Sequence, residues 1–441
     1  MSVAPQNRLI GAVGLIAGVA ALVAAIAPAF TFAAVLIFVA LAAVAVADAV
    51  QSTRGLRGVA VRTPEMIRTV RDRESEVPFS IVNTGTEVRG LCASLELPES
   101  FTTPEPVIEG GALLGADQKF DLAALFASNR RGEFCITRCD VKSASRLGFW
   151  TATKTAPVDL TVRVYPNLRA DDAAAEFLKR TDSGSRLIRM TGKGREFEKL
   201  REYSQGDSYD DVDWKATARR GKPVVRVFQV ERTQEIYVAI DASRLSARPL
   251  DGHATLEHYV NAALIMGLAA EQQGDRFGLI SFSDQLHKFV RARTGKEHFT
   301  VCRDAIYRLQ PRIVEPDFGE LFSFLQTRLT KRALVVILTA LDDPLIGETF
   351  ARQVSLASRR HLTMAAMVRP EGARPLFEED VKGDGVEPLY GQLAGHMAWR
   401  KLFELTKNLG QQGVRLHLLE PRRISGQLTA LYLDVKRRQQ L

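Results

Sequence analysis

Hydrophobic positions fall into three regimes along the chain, and each predicts a different kind of structure. The first is a pair of nearly unbroken apolar runs, residues 9–28 and 30–50, separated only at Pro28 and Ala29. Each is long enough, at about 1.5 Å per residue, to cross a hydrocarbon core of roughly 30 Å. A cleaved signal peptide would share Arg8, the apolar run and the small residues near Pro28. The second run, however, follows without a polar spacer, so a transmembrane helical hairpin over residues 1–55 is predicted. No ionisable side chain interrupts either run before Asp48, which argues against a transporter. Gly14 and Gly18 form a small-xxx-small pair, a weak packing signal in spans so rich in small residues.

In the second regime, residues 56–166, short alternating runs at 77–83, 90–97, 132–138 and 158–164 are separated by turn residues and predict a β-sandwich-like domain. Cys135 and Cys139 stand four apart on strand-like sequence, hence on one strand face, directed to the core. The third regime, residues 233–441, alternates apolar strand-like runs (235–240, 276–282, 334–338, 363–368, 414–419) with amphipathic helical stretches (256–272, 299–309, 319–329, 349–359, 397–409, 424–439). That predicts an α/β sheet of mainly parallel strands covered on both faces. Between these two domains, residues 167–232 read as a connector, with a helix at 170–180 that has Asp171 and Asp172 in its first turn and Lys179 and Arg180 in its last.

Charge adds orientation. The chain of 441 residues carries 59 Lys and Arg against 51 Asp and Glu, a net +8. Arg8 precedes the hairpin and Arg54, Arg57, Arg62 and Arg68 follow it, so both termini and everything beyond the hairpin are expected on the cytoplasmic side. Four scattered cysteines suit neither a disulfide framework nor a zinc site and are expected to be reduced and buried. The cluster from Lys436 to Arg438 reads as a solvated helix end, and no nucleic-acid partner is expected.

Candidate chemistry sits in two places. The first α/β strand runs into Asp241, with Ser243 two residues on, a spacing that can bring two oxygens to a hard cation from one loop. It resembles the metal-ion-dependent adhesion site of von Willebrand factor A domains, Asp-x-Ser-x-Ser. Leu245 replaces the final Ser, and Ala340 stands where the second carboxylate would align, with Asp342 and Asp343 two and three residues late. Magnesium at Asp241 and Ser243 is therefore an incomplete site, and a capping role or pairing with Arg244 is the plainer account of Asp241.

The denser signal is the stretch 192–219, with Glu196, Phe197, Arg201, Tyr203, Gly206, Asp207, Asp213, Trp214, Ala218 and Arg219 in order. It resembles the hallmark segment of the domain of unknown function 58 family, and Leu147, Gly148 and Phe149 resemble a degraded form of that family's turn before the last sandwich strand. Asp210 and Asp211 depart from the pattern, in which basic residues usually fill the gap. The resemblance implies a membrane helical hairpin plus β-sandwich plus α/β von Willebrand factor A-like (Rossmann-type) domain. It further implies partnership with a MoxR-type AAA+ ATPase in assembly or maturation of other proteins at a bacterial inner membrane.

In physical terms the hallmark segment suits either an internal brace or a docking surface. The brace is preferred, with Trp214 expected to be buried and worth about 3 kcal/mol. Phosphate-loop, zinc-protease and serine-hydrolase frames are missing: Gly192 and Gly194 lack a Gly-Lys-Ser/Thr completion, and Ser243 lacks flanking glycines. The chain is thus expected to be non-enzymatic, with no resident cofactor. A metal-assisted hydrolase at Asp241, Ser243 and Asp342 or Asp343 is one rival, and an envelope scaffold that self-assembles into a homo-oligomer is another.

Overall fold

The computed structural model describes residues 1–26, 31–110, 113–168, 191–205, 207–229, 233–376 and 386–438. Both N-terminal apolar runs are helical in it: α1 is Asn7–Ile26 and α2 is Thr31–Arg57. Among the described helices one stretch, Phe32–Arg57, is long and apolar enough to cross a membrane. Only 11% of its most apolar window is buried, so it is no core helix. The break at Pro28, the connector helix at 170–180 and Gly206 lie outside the described residues.

The chain divides into two units, Met1–Asn167 and Leu168–Leu441. In the first, β1 (Ser2–Pro5), β2 (Val59–Arg62), β3 (Met66–Val70), β4 (Ser75–Asn83), β5 (Val88–Leu95), β6 (Phe101–Thr102), β7 (Ile108–Glu109), β8 (Leu113–Leu114), β9 (Gln118–Ser128), β10 (Gly132–Ala144) and β11 (Trp150–Tyr165) build two sheets. One runs β1-β11-β10-β5-β7 with β3 and β8 attached, and the other β2-β4-β9-β6. Their inner faces share one core, with Val77, Phe79, Ile81 and Phe126 from one sheet and Ile136, Val141, Leu160 and Val162 from the other.

Strand alternation slips by one between Ile136 and Cys139, where the β10–β11 register shifts. Cys135 is consequently exposed while Cys139 is buried, and Cys92 is half-buried. The two thiols are not on one face, and the expectation that all four cysteines are buried fails.

α2 continues past Val50 because the sandwich holds its end. Leu56 enters the core at 1% exposure, and Lys154 Nζ on β11 donates to the carbonyl of Arg57, an orphan acceptor of the helix terminus, and to that of Val59 at the start of β2. Gly58 makes the corner. A Cβ there would lie 2.5 Å from Gly85 N, so the close backbone approach requires glycine. At the other end, β1 pairs antiparallel with β11 from Ser2 opposite Thr153 to Pro5 opposite Trp150. One strand therefore receives the chain both before α1 and after α2.

In the second unit, β12 (Thr191–Glu202) and β13 (Val224–Gln229) form an antiparallel pair. The strands β14 (Glu235–Asp241), β15 (Pro249–Leu250), β16 (His253–Ala254), β17 (Arg276–Phe282), β18 (Leu286–Arg293), β19 (Leu334–Leu338), β20 (Leu362–Val368) and β21 (Arg415–Leu419) follow. Six of them make a sheet in the order β18-β17-β14-β19-β20-β21, parallel except for β18, which runs antiparallel to β17. Alternate residues of β14 face opposite layers: Ile236, Val238 and Ile240 pack under the helices Thr255–Gln272, Lys296–Ile306 and Ile424–Arg437. Tyr237 and Ala239 pack under Phe318–Arg328, Pro344–Gln353 and Val386–Gln411. Lys436 is bound to the buried Asp275 carboxylate at 2.8 Å and is not part of a free basic tail.

Candidate docking surface and strand-end site

The loop joining β12 to β13 holds most of the hallmark residues and is organised by its own polar groups. Arg201 Nη2 donates to Asp207 Oδ1 at 2.5 Å, and the Ser204 N–H donates to Asp207 Oδ2 at 2.8 Å. The Ser204 amide and then the Arg201 guanidinium hold the Asp207 carboxyl below the usual carboxylate range. Tyr203 packs its ring against Tyr209 at 5.7 Å between centroids, and its N–H closes the loop on the Pro223 carbonyl at 2.9 Å.

Asp213 starts the helix Trp214–Arg220 as its N-cap, accepting from the Lys215 and Ala216 amides at 3.1 and 3.0 Å. Its other oxygen lies 3.7 Å from Arg226 Nε. Gly221, with φ of +67°, ends the helix in the left-handed region, and Thr217 Oγ1 takes the Val224 N–H at 3.0 Å. Val212, Val224 and Val225 are buried beneath this frame.

These contacts brace the loop without using its largest side chain. Trp214 is 68% exposed and Tyr209 is 72% exposed, so the expectation of a buried Trp214 is overturned. The helix has only seven residues, none of them buried. Ala218 and Arg219 are exposed too, Arg219 in the last turn where the helix dipole favours a cation. Glu196 and Phe197 lie on β12, with side chains outside the described residues. Tyr209 was not singled out from the sequence. Its signal was an aromatic residue inside a turn, next to Asp210 and Asp211, where burial has nothing to offer it.

At the carboxyl ends of the parallel strands, Asp241 closes β14 and Thr339 follows its neighbour β19, at the point where the strand order reverses and open α/β sheets bind ligands. Asp241 is 1% exposed. Its Oδ1 accepts the Ser243 N–H at 2.8 Å and its Oδ2 accepts the Thr339 hydroxyl at 2.6 Å. Burial pushes this carboxyl up, offset in part by Thr339 and Ser243. The Ser243 hydroxyl lies beside the same carboxyl without hydrogen-bond geometry, and it finds no other partner.

Arg244 pairs with Asp343 at 3.0 Å and Glu315 at 3.5 Å rather than with Asp241. Arg248 pairs with Asp342, and Asp343 caps the helix Pro344–Gln353. Leu245, in place of the last hydroxyl, is buried in the core. A magnesium ion wants about six oxygens. Here the Asp241 oxygens are already engaged, Asp342 faces a guanidinium and a leucine fills the fifth motif position, so these residues do not fit the ion. Among the described residues no three His, Cys, Asp or Glu side chains group as a metal site.

Comparison with known proteins now bears on both places. Residues 199–376 match the family described as Protein of unknown function DUF58. The DUF58 match begins inside β12 and takes in the Arg201–Asp207 clasp, Trp214 and Asp241. Uncharacterized proteins of Mycobacterium tuberculosis (strain ATCC 25618 / H37Rv) and Mycobacterium bovis (strain ATCC BAA-935 / AF2122/97) are each 28% identical over 190 residues, 42% of this chain. The match spans 58% of those relatives' length. Among solved structures, the conserved hypothetical protein BatB from Bacteroides thetaiotaomicron aligns over 47% of this chain and 100% of its own, with 13% identity and a TM-score of 0.31. An aerotolerance-related membrane protein from Bacteroides fragilis NCTC 9343 aligns over 46% of this chain and 99% of its own, with 12% identity and a TM-score of 0.29.

Proposed function

We propose that this chain is a membrane-anchored, non-enzymatic interaction protein and that Trp214 with Tyr209 forms its protein-docking surface. The observation that carries this is the exposure of Trp214 on a helix whose two caps are complete without it. A large amphipathic ring held in a rigid frame and left in water is what an interface anchor looks like before its partner arrives. This reverses the preference for a brace: the clasp of Arg201 and Asp207 does the bracing and Trp214 does not. The sealed Asp241 weighs against the metal-assisted hydrolase.

The remaining parts of the proposal rest on sequence and family resemblance. The partner is a MoxR-type AAA+ ATPase, and the six-stranded sheet is of von Willebrand factor A type with a degenerate adhesion site. The anchor is a two-pass hairpin in the inner membrane with both soluble units cytoplasmic. Attachment of both hairpin ends to β11 supports the two-pass part, because it puts those ends on one side, and the arginines at the ends supply the orientation.

The test is affinity capture by the full-length chain from detergent-solubilised membranes, followed by mass spectrometry. An ATPase of that type should be recovered with the native chain and lost with Trp214→Ala plus Tyr209→Ala, while the variant stays in the membrane fraction. Equal recovery with the variant would remove the docking surface from consideration.

A further inference from the structure

The two helices are not free of the sandwich over their whole length, and this sets how near the sandwich comes to the lipid. From Thr31 to Ala45 α2 rises about 22 Å at 1.5 Å per residue. Beyond that, Ala45 and Asp48 are covered, at 5% and 4% exposure. What covers them is the turn that leads into β11: Trp150 Nε1 donates to the Ala45 carbonyl at 2.8 Å and the Leu147 N–H donates to Asp48 Oδ1 at 3.2 Å. The neighbouring end of α1 is tied to the same turn by the Gln6 N–H on the Phe149 carbonyl at 2.8 Å. A hydrocarbon core of roughly 30 Å is longer than the uncovered part of α2, so a spanning α2 brings this turn into the headgroup layer.

The turn has the composition for that position. Residues 145–150 read Ser-Arg-Leu-Gly-Phe-Trp, without a carboxylate. Leu147 is 46% exposed, Arg146 is exposed, and Phe149 and Trp150 are half-buried. Arg8 lies across Gly148, whose φ of +72° and missing Cβ make room for it: a Cβ there would stand 3.1 Å from Arg8 Nη1. Asp48, the acid that meets the turn, is buried and accepts the Leu147 N–H. Apolar side chains between two guanidinium groups, with an indole anchoring the rim, match the boundary between acyl chains and anionic headgroups.

We propose that the Ser145–Trp150 turn of the sandwich is a lipid-contact site, with Leu147 and Phe149 at the acyl boundary and Arg8 and Arg146 on the phosphates of anionic lipid. This rests on the membrane-anchored assignment above.

The test is depth-dependent quenching in the full-length chain reconstituted into vesicles that contain brominated lipid, with Trp214→Phe and Trp399→Phe leaving Trp150 as the sole indole. A companion chain also carries Phe38→Trp, which places a reporter within α2. Trp150 should be quenched at least about two-fold more by shallow than by deep bromines. The shallow quenching should rise when phosphatidylglycerol replaces part of the phosphatidylcholine, and Arg8→Gln with Arg146→Gln should abolish that rise. If the added indole at position 38 is quenched and Trp150 is not, the turn stands clear of the bilayer and the proposal falls. If phosphatidylglycerol makes no difference, the headgroup role of the two arginines falls. If neither indole is quenched, it is the anchor itself that fails.

Discussion

The indole of Trp150 donates its only hydrogen bond to the carbonyl of Ala45, 2.8 Å away and 105 residues earlier in the chain. A strand residue thereby fixes the height at which an apolar helix meets a β-sandwich. Replacing Trp150 by Phe keeps most of the ring and loses the bond, and should destabilise the first unit by about 1 kcal/mol, the usual net worth of such a bond. Denaturant unfolding of the full chain in detergent measures it, and an unchanged midpoint would mean that the bond contributes nothing.

Trp214→Ala should leave thermal stability within about 0.5 kcal/mol of the native chain, as for other exposed positions, while partner capture is lost. A large drop in melting temperature would restore the buried brace.

Asp213→Ala should cost about 1 kcal/mol through the lost helix cap, and Asp213→Asn should recover most of it, since an amide oxygen can still accept from Lys215 and Ala216. Hydrogen exchange at those two amides reports the change directly. Equal protection in all three proteins would contradict the capping role.

His361 is 3% exposed, and neither ring nitrogen has a hydrogen-bond partner. Burial, then Arg360, pushes its pKa below the ordinary value of about 6.5. With the folded value depressed, the unfolded chain takes up a proton first. The stability is therefore present above pH 6.5 and is lost as pH falls through the lower folded value. Urea melts between pH 7.5 and 5 should show this loss, and His361→Phe should flatten it. A parallel pH dependence in the variant would assign the effect elsewhere.

Magnesium or manganese at millimolar concentration should leave the melting temperature of the full chain unchanged, because the Asp241 oxygens are engaged by Ser243 and Thr339, Asp342 is paired with Arg248 and Leu245 replaces the last hydroxyl. A saturable upward shift that disappears in Asp241→Asn would revive the metal site.

The parallel strands of the second unit were legible because strands buried on both faces are written as continuous apolar runs: 276–282 and 334–338 coincide with β17 and β19. Strand β18 was missed because Leu286, His287, Lys288, Phe289, Val290 and Arg291 mix polar and apolar residues without clean alternation, as an edge strand tolerates. The helical stretch read at 349–359 is in fact Pro344–Gln353 followed by Ser355–Ser358, with Asp343 and Pro344 supplying a start signal that went unused. Strand β1 and the polar end of α2 depend on partners about 150 and 95 residues away, Thr153 and Lys154 among them, and local pattern carries no trace of those. The Asp241–Thr339 bond was illegible for the same reason. Trp214 failed differently. Its neighbours fixed the helix but not which side of it meets water.

Lys154 grips one carbonyl on each side of Gly58, so the passage from α2 into β2 has no slack. A pull on the sandwich would reach α2 as force along a stiff rod instead of being absorbed by a compliant linker. Whatever pulls on the sandwich therefore moves the helix with it, as a handle and not as a leash.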